Sequence, residues 1–286
     1  MKLRRTYAAF TLIELLVVIG IIGLLAGLVG PTLTGFRQGD AMLAATRTML
    51  DGVARARQLA ISQHTTVYMV FVPPSFWADT AFSTSLSPFT PTPNLTQADL
   101  VAATNLVEKE FTGFTFVTLR TLADQPGQGT PHYLSGWQSL PDKAFIATNK
   151  FRYSQFPAFY YTIFTSGVTG YDIYGFNVTT NVPFPRESTK AYTAARPYPS
   201  LPYIAFNYLG QLTTEALSPS PLQLDEYIPL AHGSVSVAHD SVTKKPIFNP
   251  PDAKEDPAGN STNTAYNVIH IDWLTGRARA ERQKVK

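Results

Sequence analysis

The sequence predicts an α+β fold in which one long N-terminal helix packs on a C-terminal antiparallel β-sheet domain. Three observations predict it. Residues 10–30 are apolar except for Thr11 and Glu14. Beyond Pro31, Leu43, Leu50, Val53, Ala56 and Ala60 recur at near-helical spacing, while Arg47, Asp51, Arg55 and Arg57 fall on other faces. From residue 65 onward, short β-branched and aromatic runs alternate with Pro-, Gly- and Ser-rich stretches, the pattern of strands and turns.

The first element is the apolar stretch. At about 1.5 Å per residue it spans roughly the 30 Å hydrocarbon core of a bilayer. Lys2, Arg4 and Arg5 precede it, so the positive-inside rule keeps the N-terminus cytoplasmic and sends the remainder outward. These three residues also account for the whole net charge of +3, because they leave 20 basic against 20 acidic side chains. The sequence pI near 9.0 is therefore no argument for a nucleic-acid partner. A secretory signal peptide has an apolar core of about 7–15 residues and a small-x-small cleavage site. This stretch is longer, and residues 26–30 make a poor site. A plain signal anchor fits the length but leaves Glu14 unexplained, since a carboxylate deep in a bilayer costs about 2.5–3.5 kcal/mol on insertion scales.

The helix continues past Pro31 to about residue 63, and its second half is amphipathic. Pro31 removes one backbone hydrogen bond and crowds the preceding turn, which predicts a kink. The plainer alternative is that it ends the membrane helix. Gly20, Gly23, Gly27 and Gly30 leave the helix able to bend or pack closely.

The run Phe10-Thr11-Leu12-Ile13-Glu14-Leu15-Leu16-Val17-Val18-Ile19 resembles the cleavage and methylation motif of type IV pilins and type II secretion pseudopilins. The resemblance implies that residues 1–9 are a prepilin leader. A prepilin peptidase would cut between Ala9 and Phe10 and methylate the new amine of Phe10. The family usually has Gly before the cut, where this chain has Ala9. The resemblance further implies a single-pass inner-membrane protein, with helix 10–64, transmembrane segment 10–30 and a periplasmic domain over 65–286. That protein would be extracted into a periplasm-spanning fibre, with other pilin or pseudopilin subunits and the assembly platform as partners. In such a fibre Glu14, about one helical turn from Phe10, pairs with the Phe10 amine of a neighbouring subunit. In low dielectric the pair costs less than two unpaired charges. The alternative for Glu14 is snorkelling to the membrane surface.

Residues 67–72 read as a strand ended by Pro73 and Pro74. Further strands are expected within 111–120, 151–165, 173–178, 203–207, 234–239 and 267–272, with a turn-rich link over 125–136. Residues 73–98, 181–200 and 246–263 read as Pro/Ser/Thr-rich or polar loops. Trp137, Leu140-Pro141, the segment from Phe206 to Gly210, and Thr275-Gly276-Arg277 resemble features of the H-type minor pseudopilins.

The chemistry expected of the chain is structural rather than enzymatic. The sequence has no cysteine, which excludes disulfides, thiol catalysis and thiolate metal sites. It has no Gly-x-Ser-x-Gly, no phosphate loop and no HExxH. No metal or cofactor is expected. His270 with Asp272, and His239 with Asp240, are pairs of ligand type, but such pairs arise commonly by chance. Asp252, Glu255, Asp256 and Asn260 offer the hard oxygens that calcium takes, at a spacing that matches no defined calcium loop. At the C-terminus Arg277, Arg279, Arg282, Lys284 and Lys286 stand against Glu281 alone. Gly276-Arg277-Ala278-Arg279 has the form of a tail with which some minor pilins capture DNA. The favoured reading is a structural minor pilin or pseudopilin subunit. The alternative is a DNA-binding minor pilin, and the third reading is a membrane-anchored enzyme or glycan-binding domain.

Overall fold

The computed structural model describes residues 11–79, 96–125, 129–152, 160–165, 168–187, 198–214, 224–262 and 267–282, without the side chains of 26–39 and 160–172. Helical backbone runs over α1 (Leu12–Gln63). By its contacts the chain divides into two compact units, 1–40 and 41–286. The first contains the start of α1. The second is mostly antiparallel sheet, which makes the class α+β.

The strands of the second unit are β1 (Val67–Phe71), β2 (Gly113–Thr118), β3 (His132–Tyr133), β4 (Gln138–Ser139), β5 (Ala144–Ile146), β6 (Tyr160–Thr165) and β7 (Val168–Tyr174). They continue with β8 (Asn177–Thr179), β9 (Leu201–Phe206), β10 (Leu212–Thr213), β11 (Glu226–Ser236), β12 (Asp252–Glu255), β13 (Asn267–Ile271) and β14 (Ala278–Arg282). A second helix, α2, covers Gln97–Val107. One sheet runs β10-β9-β1-β2-β3, with β4 also on β2 and β8 on β9; a second runs β12-β11-β13-β14, with β5 also on β11. β6 and β7 form a separate hairpin.

The centre of the first sheet is buried on both faces, so β1 reads as a continuous apolar run rather than an alternation. Met69 and Phe71 join Phe114, Phe116, Ile204 and Phe206 in the main core with the α1 stripe Met42, Ala45, Met49, Val53, Ala56 and Ala60. Gly52 allows the helix to approach closely, because a Cβ there would lie 3.1 Å from both Met69 and Phe114. Ile228, Leu230, Ile269 and Ile271 of the second sheet complete this core. Tyr68, Val70 and Val72, on the other face of β1, pack with Leu100, Ala103, Leu106 and Val107 of α2.

α2 starts at a capping box. The Asp99 N–H donates to Thr96 Oγ1 at 3.3 Å, and the Thr96 N–H donates to Asp99 Oδ2 at 2.9 Å. Arg186 Nε adds a charge-assisted bond to Asp99 Oδ1 at 2.7 Å. Burial alone would raise the Asp99 carboxyl, but the Thr96 and Arg186 bonds outweigh it and hold it below the usual range.

Several expectations are corrected. The loop expected over 73–98 contains a 3-10 turn at Phe76–Ala78 and ends in the first residues of α2. The polar loop at 246–263 contains β12, an edge strand whose residues alternate between exposed and half-buried, so it carries no apolar signature. The link at 125–136 contains β3. The strand expected at 234–239 begins at Glu226. The basic end is no free tail over 278–282 but strand β14, paired to β13 from Ile271↔Ala278 to Asn267↔Arg282.

Candidate functional site

Thr11 lies just before α1 and Glu14 in its first turn. The Thr11 hydroxyl is 3.4 Å from Glu14 Oε2, and the Glu14 N–H donates to Thr11 Oγ1, also at 3.4 Å. Thr-Leu-Ile-Glu therefore has the spacing of a capping box, and the partial positive charge of the helix N-terminus favours a carboxylate there. Glu14 is exposed, and so is every other residue from Leu12 to Leu25. Leu12, Ile13, Leu15, Leu16, Ile19 and Ile22 are among the large apolar side chains involved, and Leu12 is 83% accessible. An apolar surface on all sides of a helix is a surface for lipid or for other helices, not for water. Among the described residues no helix is long and apolar enough to cross a membrane. The described side chains of the apolar stretch are those of residues 11–25. Ala9, Phe10 and Lys284 lie outside the described residues. The backbone of Pro31 falls within α1, but its side chain lies outside them, and with it the expected kink.

In the second unit, Arg277, Arg279 and Arg282 are exposed. Strand alternation turns Arg279 and Arg282 to opposite faces of β14. Arg279 Nε donates to Glu281 Oε1 at 2.9 Å. His270 does not meet Asp272. Its Nε2 is 2.7 Å from Asp225 Oδ2 and its Nδ1 is 2.7 Å from Glu281 Oε1, while its ring stacks on Tyr227. Asp272 instead accepts the N–H and hydroxyl of Thr275, both at 2.7 Å, and these bonds hold its carboxyl below the usual range. His239 Nε2 lies 3.0 Å from Glu108, and Asp240 caps the turn at Val242 and Thr243. Asp252 pairs with Lys254, Glu255 accepts from Ser261, and Asn260 holds the backbone of His232. The Asp256 carbonyl is 2.7 Å from His232 Nδ1. Among the described residues no group of three or more His, Asp or Glu side chains could hold a metal ion.

Two segments of the H-type pattern meet, the one ending at Gly210 and the one at Thr275-Gly276-Arg277. Arg57 Nε donates to the Thr275 carbonyl at 2.7 Å. A Cβ on Gly276 would lie 2.0 Å from the Gly210 carbonyl, and one on Gly210 would lie 2.9 Å from Ile61. The turns at 207–211 and 272–277 are thus clipped together at the C-terminal end of α1. Trp137 is elsewhere, donating its indole N–H to the Pro185 carbonyl at 2.9 Å.

Three charged groups carry no signal in the sequence. Arg57 has the pattern of an ordinary polar-face residue. Lys150 is fully buried, hydrogen-bonded to Glu226 and, at 2.7 Å, to the Tyr174 carbonyl, with the Phe176 ring centroid 4.8 Å from its Nζ. Burial pushes its amine down, against the opposing pull of Glu226. Glu110 is fully buried, and burial pushes its carboxyl up to about 8. No local motif marks any of these, because each partner lies far away in sequence.

Residues 4–30 match the family model described as the prokaryotic N-terminal methylation motif. No curated protein and no solved structure matches the chain. Over its N-terminal residues 4–30 the chain therefore carries the signature of the type IV pilin and pseudopilin family.

Proposed function

We propose that the chain is made as a prepilin and works as a minor pilin or pseudopilin subunit. A prepilin peptidase cuts between Ala9 and Phe10 and methylates Phe10. Residues 10–30 hold the subunit in the inner membrane, with the β-rich unit in the periplasm. The assembly platform then passes it into a type II secretion pseudopilus or a type IV pilus-like fibre beside other subunits. Its work is structural rather than catalytic.

The observation that carries this reading is the apolar surface around Leu12 to Leu25 with one carboxylate, Glu14, in its first turn. In lipid or in a helical fibre core that carboxylate needs a cation. The amine created at Phe10 supplies one from a neighbouring subunit, which fixes the axial stagger between them. The local Thr11 hydroxyl bond is long and neutral, so it leaves the charge available for pairing.

Glu14→Ala is expected to leave membrane insertion intact and to reduce recovery in sheared fibres by at least about tenfold, as loss of roughly 1.4 kcal/mol or more per subunit contact implies. Immunoblotting of membrane and fibre fractions checks this. Unchanged fibre content in the variant overturns the assembly role of Glu14.

A further inference from the structure

Glu110 takes no part in the proposed assembly. It follows α2 and leads into β2, packed against the turn that leaves β1. That turn is tight. Ser75 adopts a left-handed backbone, φ 51° and ψ 35°, and is followed by the 3-10 turn Phe76–Ala78. The Ser75 N–H donates to Glu110 Oε1 at 3.0 Å. Glu110 Oε2 and the indole N–H of Trp77 are both buried without a well-formed hydrogen bond of their own. Phe76 is buried edge-on against Phe184, and Trp77 lies edge-on to Phe248.

We propose that Glu110 is a proton-operated latch, whose neutral carboxyl holds the Ser75–Asp79 turn closed and whose ionisation releases it. A neutral carboxyl needs little beyond the Ser75 N–H and the Trp77 indole around it. A carboxylate in the same place needs several donors or a cation, and a buried charge without them is strongly disfavoured. Among the described residues no charged group contributes to its surroundings. The titratable side chains of the adjoining segments are engaged elsewhere: Glu108 with His239, Lys109 with the Trp137 carbonyl, and Asp79 with the Ser200 N–H. Swinging out the Ser75–Asp79 turn, whose N–H holds Glu110, solvates the ionised form and uncovers Phe76 and Trp77.

The sign follows from the raised carboxyl. In the closed turn Glu110 keeps its proton to about pH 8, whereas in the open turn it ionises near its ordinary 4.5. Between these limits each rise of one pH unit favours opening by about tenfold, and above pH 8 the effect levels off. The test is hydrogen exchange of the full-length chain in detergent micelles, with protection of the 75–79 amides corrected for intrinsic exchange. Protection is expected to fall by about tenfold per pH unit from pH 5 to 8 and then to flatten. In Glu110→Gln, which keeps the size and the acceptor, it is expected not to change with pH. A second readout is Trp77 fluorescence in a chain with Trp137 and Trp273 replaced by Phe, which should shift to the red over the same range only when Glu110 is present. Flat protection in the parent chain, or the same slope in Glu110→Gln, overturns the latch.

Discussion

Alanine at Gly276 is expected to cost the β-rich unit more than about 3 kcal/mol, a large part of the stability of an ordinary domain. Gly276 turns the chain from β13 into β14 with φ +61°. Its Cα faces the Gly210 carbonyl, and an added Cβ would sit 2.0 Å from that oxygen and 3.1 Å from the Phe206 ring. The oxygen belongs to backbone that cannot retreat. Gly210 itself has φ +80° and is pressed against Ile61 and Arg57 of α1. Moving the 272–277 turn would also break the bond from Arg57 to the Thr275 carbonyl, and moving the 207–211 turn would drive it against or away from Ile61. Gly136→Ala is the control, since an added Cβ there meets nothing within 4 Å, and its cost should stay within about 0.5 kcal/mol. Urea unfolding of both variants, followed by tryptophan fluorescence, gives the comparison.

The second large effect lies at Lys150. Replacing it with methionine leaves the Glu226 carboxylate in a nearly closed site without its cation, at an expected cost of about 3–5 kcal/mol. Replacing both partners, as Lys150→Met with Glu226→Leu, should recover most of that loss, because no buried charge then remains. The double variant takes a partner from two backbone groups, the Tyr227 N–H that donates to Glu226 and the Tyr174 carbonyl that accepts from Lys150, so the recovery should be incomplete. Unfolding midpoints of the parent, single and double variants give the coupling directly. A double variant no more stable than Lys150→Met would show that packing at this site, not charge, sets the cost.

The N-terminal element is legible in the sequence because its signals are local. Apolar length, one carboxylate and three leading cations lie within residues 2–30. The same holds for β1, β9 and β13, whose apolar runs are short and bounded by turn residues. The helix stripe was found in part. Val53, Ala56 and Ala60 are buried, but the seam also runs through Met42, Ala45 and Met49. What stayed hidden depends on pairing across distance. β12 and β14 are edge strands with charged, half-exposed residues, so they read as loop and tail. α2 was concealed behind a Ser/Thr/Pro-rich stretch, and its cap uses Asp99 where the more familiar box has Glu or Gln. The hydrogen bonds from Lys150 to Glu226 and between His270 and Asp225 join residues 76 and 45 positions apart, and no periodicity announces them. Over 278–282 the basic end lies in a paired strand rather than a free tail. Arg279 is bound to Glu281 within β14, so a phosphate ligand would have to compete with that pair.

The mature subunit is expected to start at Phe10. Mass spectrometry of the N-terminal peptide, from chain purified out of membranes that contain a prepilin peptidase, tests it most directly. The expected peptide begins with N-methylated Phe10 and lacks residues 1–9, and the uncut chain is expected when the peptidase is absent. A chain that keeps residues 1–9 beside an active peptidase, or one that begins beyond residue 26 as after a secretory signal cleavage, would contradict it.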